Sequence, residues 1–93
     1  MSHKSSSSCK VWKDELQRLQ SKNVQITTSG GNFVGSLTLT SDKCIVRLAP
    51  NASGLLPATI AVSKIEQISD LSGLSLAEYN AFVATSDAVN STF

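Results

Sequence analysis

Cys9, Trp12, Leu16 and Leu19 recur at steps of three, four and three, with Lys, Asp, Glu, Arg and Gln between them. That spacing draws one apolar stripe along an amphipathic helix, and such a helix must lie on something. Ser8 is the predicted N-cap and Lys22-Asn23 the predicted end. From Asn23 the period drops to two. "NVQITT" alternates Val24 and Ile26 with Gln25 and Thr27, which predicts a strand with one buried face. Ser29-Gly30-Gly31-Asn32 follows with residues that accept positive φ, so a hairpin is predicted. The second strand puts Phe33, Gly35, Leu37 and Leu39 on one face and Val34, Ser36, Thr38 and Thr40 on the other. Gly35 in mid-strand marks a sharp bend or a close backbone approach.

"KCIVRLA" sets Cys44, Val46 and Leu48 against Ile45, Arg47 and Ala49, apolar enough on both faces for a central strand. Pro50-Asn51-Ala52-Ser53-Gly54 reads as a loop. "LLPATIAVSKIEQI" then predicts a strand through Ile60 and Val62, a break at Ser63-Lys64 and a short strand through Ile65 and Ile68. Five short strands after a helix predict a small, strongly bent sheet closing on itself. In "LSGLSLAEYNAFVATSDAV", Ser75 and Glu78 have capping-box spacing, and Leu76, Tyr79 and Val83 form a helical stripe with Phe82 beside it. The chain beyond about Asp87 is expected to fray. The expected fold is mainly β, a small five-stranded strongly bent barrel with an N-terminal α-helix and an added C-terminal helix. Residues 1–8 are expected to be a disordered Ser-rich tail, 9–70 the barrel domain and 71–93 a helical extension.

Composition excludes more than it selects. Ninety-three residues allow one domain with a modest core, and 41% apolar with 16% charged residues is enough to fold. The net charge of +1 divides unevenly. Residues 1–64 hold all eight Lys and Arg against Asp14, Glu15 and Asp42, a balance of +5, whereas residues 65–93 carry four carboxylates and neither Lys nor Arg. One end can therefore face a polyanion that the other repels, although an imbalance of this size is also ordinary in a short chain. The start has no apolar run, and no stretch approaches the roughly 20 apolar residues of a membrane span, so a cytoplasmic protein without membrane contact is expected.

Cys9 and Cys44 can in principle pair, but a packed thiol is the expected state of each in a reducing compartment. Their spacing makes no zinc site, and no metal or cofactor is expected. Asn51-Ala52-Ser53 and Asn90-Ser91-Thr92 match a glycosylation pattern that carries no weight without secretion. His3 is the only histidine and lies in the tail, the carboxylates show no acid/base spacing, and no Gly-rich loop opens a helix. Neither an enzyme nor a small-molecule substrate is expected. Trp12, Tyr79 and Phe82 sit at helical spacing among apolar neighbours and read as core or interface rather than stacking platforms.

The order of parts resembles the Sm-like (Lsm/Hfq) family over roughly residues 9–70. The matching segments are Val24-Gln25-Ile26, Gly35-Ser36-Leu37, Asp42 through Leu48, and Thr59 through Ile68. The resemblance implies an SH3-like, Sm-like barrel whose fourth strand pairs with the fifth strand of the next subunit, giving a homo-oligomeric ring. Thr59, Ile60, Val62, Ile65 and Ile68 would lie at that interface. It also implies RNA binding through loops at a central pore, with Asp42, Lys43, Cys44, Arg47, Ser63 and Lys64 as the matching candidates.

The chain departs from the family pattern at this site. Gly35 and Asp42 are one residue further apart than usual, Val46 stands where an Asn is expected, and Lys43-Cys44 has no ring for stacking. Ala61-Val62-Ser63 replaces an Arg-Gly or Lys-His pair. A degraded or rebuilt base pocket follows, with Lys43, Arg47 and Lys64 left to contact phosphates or simply to be solvated. Two functions are therefore carried forward: a ring that binds RNA weakly through its pore-facing loops, and a structural or scaffold ring without RNA, as in a phage or another compact genome.

Overall fold

The change of hydrophobic period at Asn23 is realised as a change of element. The computed structural model describes residue 9, residues 11–52 and residues 54–87. Its elements are α1 (Lys13–Arg18), β1 (Asn23–Thr28), β2 (Gly31–Leu39), β3 (Ile45–Ala49), β4 (Ala58–Ala61), a 3₁₀ turn (Val62–Lys64), β5 (Ile65–Asp70) and α2 (Leu76–Thr85). The expected Ser8 cap, the Ser-rich tail and the fraying end beyond Asp87 lie outside the described residues.

Helix α1 stops earlier than the sequence predicts. Leu19 is its C-cap, and Ser21 takes a left-handed φ of 68°. The reason is competition from β2: Ser21 N–H donates to the Leu37 carbonyl at 2.8 Å, and Leu37 N–H donates to the Lys22 carbonyl at 2.9 Å. These bonds draw residues 21 and 22 into the sheet's ladder.

All strand pairs are antiparallel, in the order β4-β3-β2-β1-β5. Strand β2 is long because it serves two partners: Gly31 to Ser36 face β1, and Ser36 to Leu39 face β3. Gly35 sits where those halves meet. A Cβ there would lie 2.9 Å from both the Ala49 carbonyl oxygen and Leu48 Cβ, so the expected close approach is present. Among the described residues β4 and β5 are not hydrogen-bonded to each other; the sheet is five-stranded and antiparallel, with open edges at both ends.

Alternation divides the apolar side chains between two faces. Leu16 of α1 and Leu19 at its C-cap pack on Val24, Ile26, Leu37, Val46, Leu48, Ile60, Val62 and Ile65, with Trp12, Phe33 and Leu39 around them. Each such side chain removed from water contributes on the order of 1.5–3 kcal/mol. Val34, read from alternation as facing the polar side, is only 1% exposed. It lies under a second cluster with Leu55, Leu71, Tyr79 and Val83, because α2 covers that face.

The predicted capping box of α2 is formed: Glu78 N–H donates to Ser75 Oγ at 3.2 Å, and Ser75 N–H donates to Glu78 Oε1 at 3.0 Å. Tyr79 and Val83 are buried as the stripe predicts, but Leu76 is 75% exposed. Leu71 and Leu74 occupy the apolar ground at that end of the helix instead. Strand β3 reaches β2 only from Ser36 onward, and the chain after α2 fills the edge it leaves. Asn32 N–H donates to Asp87 Oδ2, Asp87 N–H donates to the Asn32 carbonyl, both at 2.8 Å, and Val34 N–H donates to Ser86 Oγ at 3.3 Å. Gly31, at φ 135°, leaves the space that the Asp87 carboxylate takes.

Candidate nucleic-acid interface

The residues joining β2 to β3, Thr40 to Cys44, are ordered by their own short side chains. Asp42 Oδ1 accepts the Cys44 N–H at 2.9 Å, and the Asp42 carbonyl accepts the Ile45 N–H at 3.1 Å. The Thr40 hydroxyl lies 2.9 Å from the carbonyl oxygens of both Asp42 and Ile45 and accepts the Asp42 N–H at 3.1 Å. Such side-chain bonds to nearby backbone are the usual work of Asp and Thr in turns. Asp42 therefore builds the loop, while Lys43 stands exposed at its tip.

Cys44 corrects an expectation. It is joined to Cys9 by a disulfide, with Cα atoms 5.1 Å apart, rather than packed as a free thiol. Helix α1 lies over the inner core, which carries the segment before it to the β2–β3 loop, and only that placement brings together two cysteines 35 positions apart. The Cys44 sulfur is thus committed to Cys9, leaving its backbone as the part that faces the second loop. Val62 N–H donates to the Cys44 carbonyl at 2.8 Å. This bond sets the 3₁₀ turn, with exposed Ser63 and Lys64, beside the β2–β3 loop. Asp42, Lys43, Cys44, Ser63 and Lys64 accordingly belong to neighbouring connections. Arg47 stands apart: it is three residues into the strand side, exposed, and in register with Thr38 and Thr59.

The expected interface residues divide in a similar way. Ile60, Val62 and Ile65 turn into the chain's own core, Ile68 is half-buried against it, and Thr59 is exposed. The outer edges of β4 and β5 thus offer backbone groups together with Thr59, Ala61, Glu66 and Gln67, all exposed.

Two cavities flank these connections. One of about 420 Å³ lies between α1 and the β2–β3 loop, with Lys13, Leu16 and Gln17 on one wall and residues 39–46 on the other. The second, about 210 Å³, is lined by Thr28 and Phe33 on one side, Ala58 to Ala61 on the other, and Lys64. The sheet therefore curls enough for β4 to approach the far end of the β1–β2 hairpin. Sequence reasoning missed Lys13 and Gln17. Their signal is the step of four from Cys9, which becomes readable only once Cys9 is known to reach Cys44.

On the opposite side, Asn51 links two elements: its amide donates to Asn23 Oδ1, and its Oδ1 accepts the Tyr79 hydroxyl. Burial pushes the Tyr79 phenol above its ordinary value, and the bond to Asn51 pulls it partly back. The Ser72 hydroxyl and N–H both donate to Asp70 Oδ1, at 2.6 and 2.9 Å, and hold this exposed carboxyl below the usual range, helped by Lys22 and Arg18. Among the described residues no group of three or more His, Cys, Asp or Glu is placed to hold a metal ion, and no helix is long and apolar enough to cross a membrane. Comparison with protein-family models, with curated proteins and with solved structures found no match.

Proposed function

We propose that the chain is an Sm-like ring subunit that binds RNA through the β2–β3 loop and the 3₁₀ turn. The observation that carries this reading is the strand order β4-β3-β2-β1-β5, which leaves two short edges on a curled sheet. An unpaired edge is a template for another chain. Pairing β4 of one copy with β5 of the next is a head-to-tail contact, and such contacts form a ring when the rotation closes. The bond between Val62 and Cys44 supports the same reading, because it sets both candidate loops at one end of the protomer.

Binding by this route rests on charge. Val46 is 1% exposed, the Asp42 carboxylate is engaged within its own loop, and no aromatic side chain occurs among residues 40–44. Lys43 and Lys64 then act on phosphates, and affinity falls with salt through counterion release. The same three facts favour, as a second reading, a scaffold ring without RNA. The Cys9–Cys44 bridge weighs against the expected cytoplasmic location, since disulfides persist in oxidising compartments and are rare in the cytosol.

Light scattering with oligo-U and oligo-A titration tests the proposal. A multimeric mass is expected, together with affinity that drops as salt rises, and Lys43→Ala with Lys64→Ala should flatten the single-strand salt slope by about 1.4 for each subunit that engages the strand. A monomer at high concentration would remove the ring. A multimer that binds neither oligonucleotide at low salt would leave the scaffold.

A further inference from the structure

The larger cavity has a composition that the RNA reading does not use. Its interior is apolar: Leu16 from α1, Leu39 from the end of β2, Ile45 and Val46 from β3, and the Cys9–Cys44 bridge at one side. Its volume of about 420 Å³ falls in the range of small-molecule sites, about 300–1,000 Å³. Cations enter the lining from both walls, Lys13 on α1 and Lys43 on the loop, and both are exposed. Among the described residues the one salt bridge joins Arg18 to Glu15, so neither lysine is paired. The single carboxylate in the lining, Asp42, already has Oδ1 engaged by the Cys44 N–H, and the Thr40 hydroxyl is taken up within its own turn.

Two unpaired cations outnumber the one carboxylate, and the other free polar groups of the lining are the Gln17 amide, the Ser41 hydroxyl and the second oxygen of Asp42, so the pocket favours an apolar molecule with a single anionic head. We propose that the cavity between α1 and the β2–β3 loop binds a small amphipathic carboxylate, its chain among Leu16, Leu39, Ile45 and Val46 and its carboxylate between Lys13 and Lys43. A nucleobase fits less well, because the lining holds no aromatic face and Gln17 is its one free amide. The cavity lies within a single copy, so this inference stands apart from ring formation. Lys43 is common to both proposals, whereas Lys13 belongs to this one alone.

The test uses the full oxidised chain, titrated with decanoate below its micelle concentration and followed by amide NMR and calorimetry. Decylammonium, decanol and uridine monophosphate serve as comparison probes. One saturable site is expected, with shifts confined to Lys13–Gln17 and Thr40–Val46, and decanoate is expected to bind about tenfold tighter than decylammonium. Lys13→Glu with Lys43→Glu should weaken decanoate about tenfold, since both side chains are exposed and the fold does not depend on their charge. Gln17→Trp, which fills the mouth from an exposed helix position, should abolish binding with the thermal midpoint unchanged. The proposal is overturned by non-saturable binding, by equal affinity for decylammonium, by shifts centred on α2, or by uridine monophosphate binding the cavity more tightly than decanoate. Failure here leaves the oligonucleotide titration unaffected, so the two proposals can be lost separately.

Discussion

Val62 donates its backbone N–H to the carbonyl oxygen of Cys44 at 2.8 Å, and that bond ties together the two connections at one end of the sheet. Cys44 is a junction of three contacts. Its N–H is held by Asp42, its carbonyl by Val62 and its sulfur by Cys9, so the loop, the 3₁₀ turn and the segment before α1 all meet at one residue.

Opening the bridge should therefore be felt well beyond the cysteines. Closing a loop of 35 residues removes denatured-state entropy equivalent to about 3–4 kcal/mol. Cys9→Ser, or reduction by a dithiol, should lower the urea midpoint by a corresponding amount and speed hydrogen exchange at the Val62 amide. Equal midpoints for the oxidised and reduced chains would show that the bridge does not constrain the fold.

Gly35 is held by backbone on the far side. A methyl group there meets the Ala49 carbonyl oxygen at 2.9 Å, and that oxygen belongs to the β2–β3 ladder. Gly35→Ala should cost about 1–3 kcal/mol by overpacking, whereas Gly73→Ala, with nothing within 4 Å, serves as the neutral control. Thermal melts of the two variants side by side decide this, and similar midpoints would refute it.

Tyr79 sets an alkaline limit on stability. Its folded pKa is raised by burial, so its contribution is fully present below the unfolded value of about 10 and is lost as pH rises through the folded value. Denaturation between neutral pH and pH 11 should show stability falling at the top of that range. Tyr79→Phe should remove that limb while costing about 1 kcal/mol at neutral pH for the lost bond to Asn51. An unchanged alkaline limb in the variant would assign the transition elsewhere.

Ser21 occupies a conformation that disfavours a side chain, with φ at 68°. Ser21→Gly should raise stability by about 0.5–1 kcal/mol, and Ser21→Val should lower it, because a β-branched residue resists that region most. Urea melts check both signs; a destabilised glycine variant would mean that the chain there does not keep its left-handed turn.

Local chemistry was the legible part of this molecule. The hairpin around Gly30-Gly31, the break at Ser63-Lys64 and the Ser75/Glu78 capping box each depend on residues within a few positions of one another, and each stands where the pattern puts it. The candidate site was legible only in outline. Asp42 and Lys43 share a loop as expected, but the carboxylate's role in ordering that loop is a matter of bond geometry that spacing does not encode.

Periodicity by itself determined where helix and strand alternate along the chain and which face of β1 and β3 turns inward, because side-chain direction follows the backbone repeat. What covers the other face was decided by the tertiary structure. Val34 became core when α2 folded across it, Ile60, Val62 and Ile65 were drawn inward when the sheet curled, and Cys9 reached Cys44 because α1 packs on the inner core. The physical reason is common to all three: burial is a property of two surfaces meeting, and a linear sequence displays only one of them at a time.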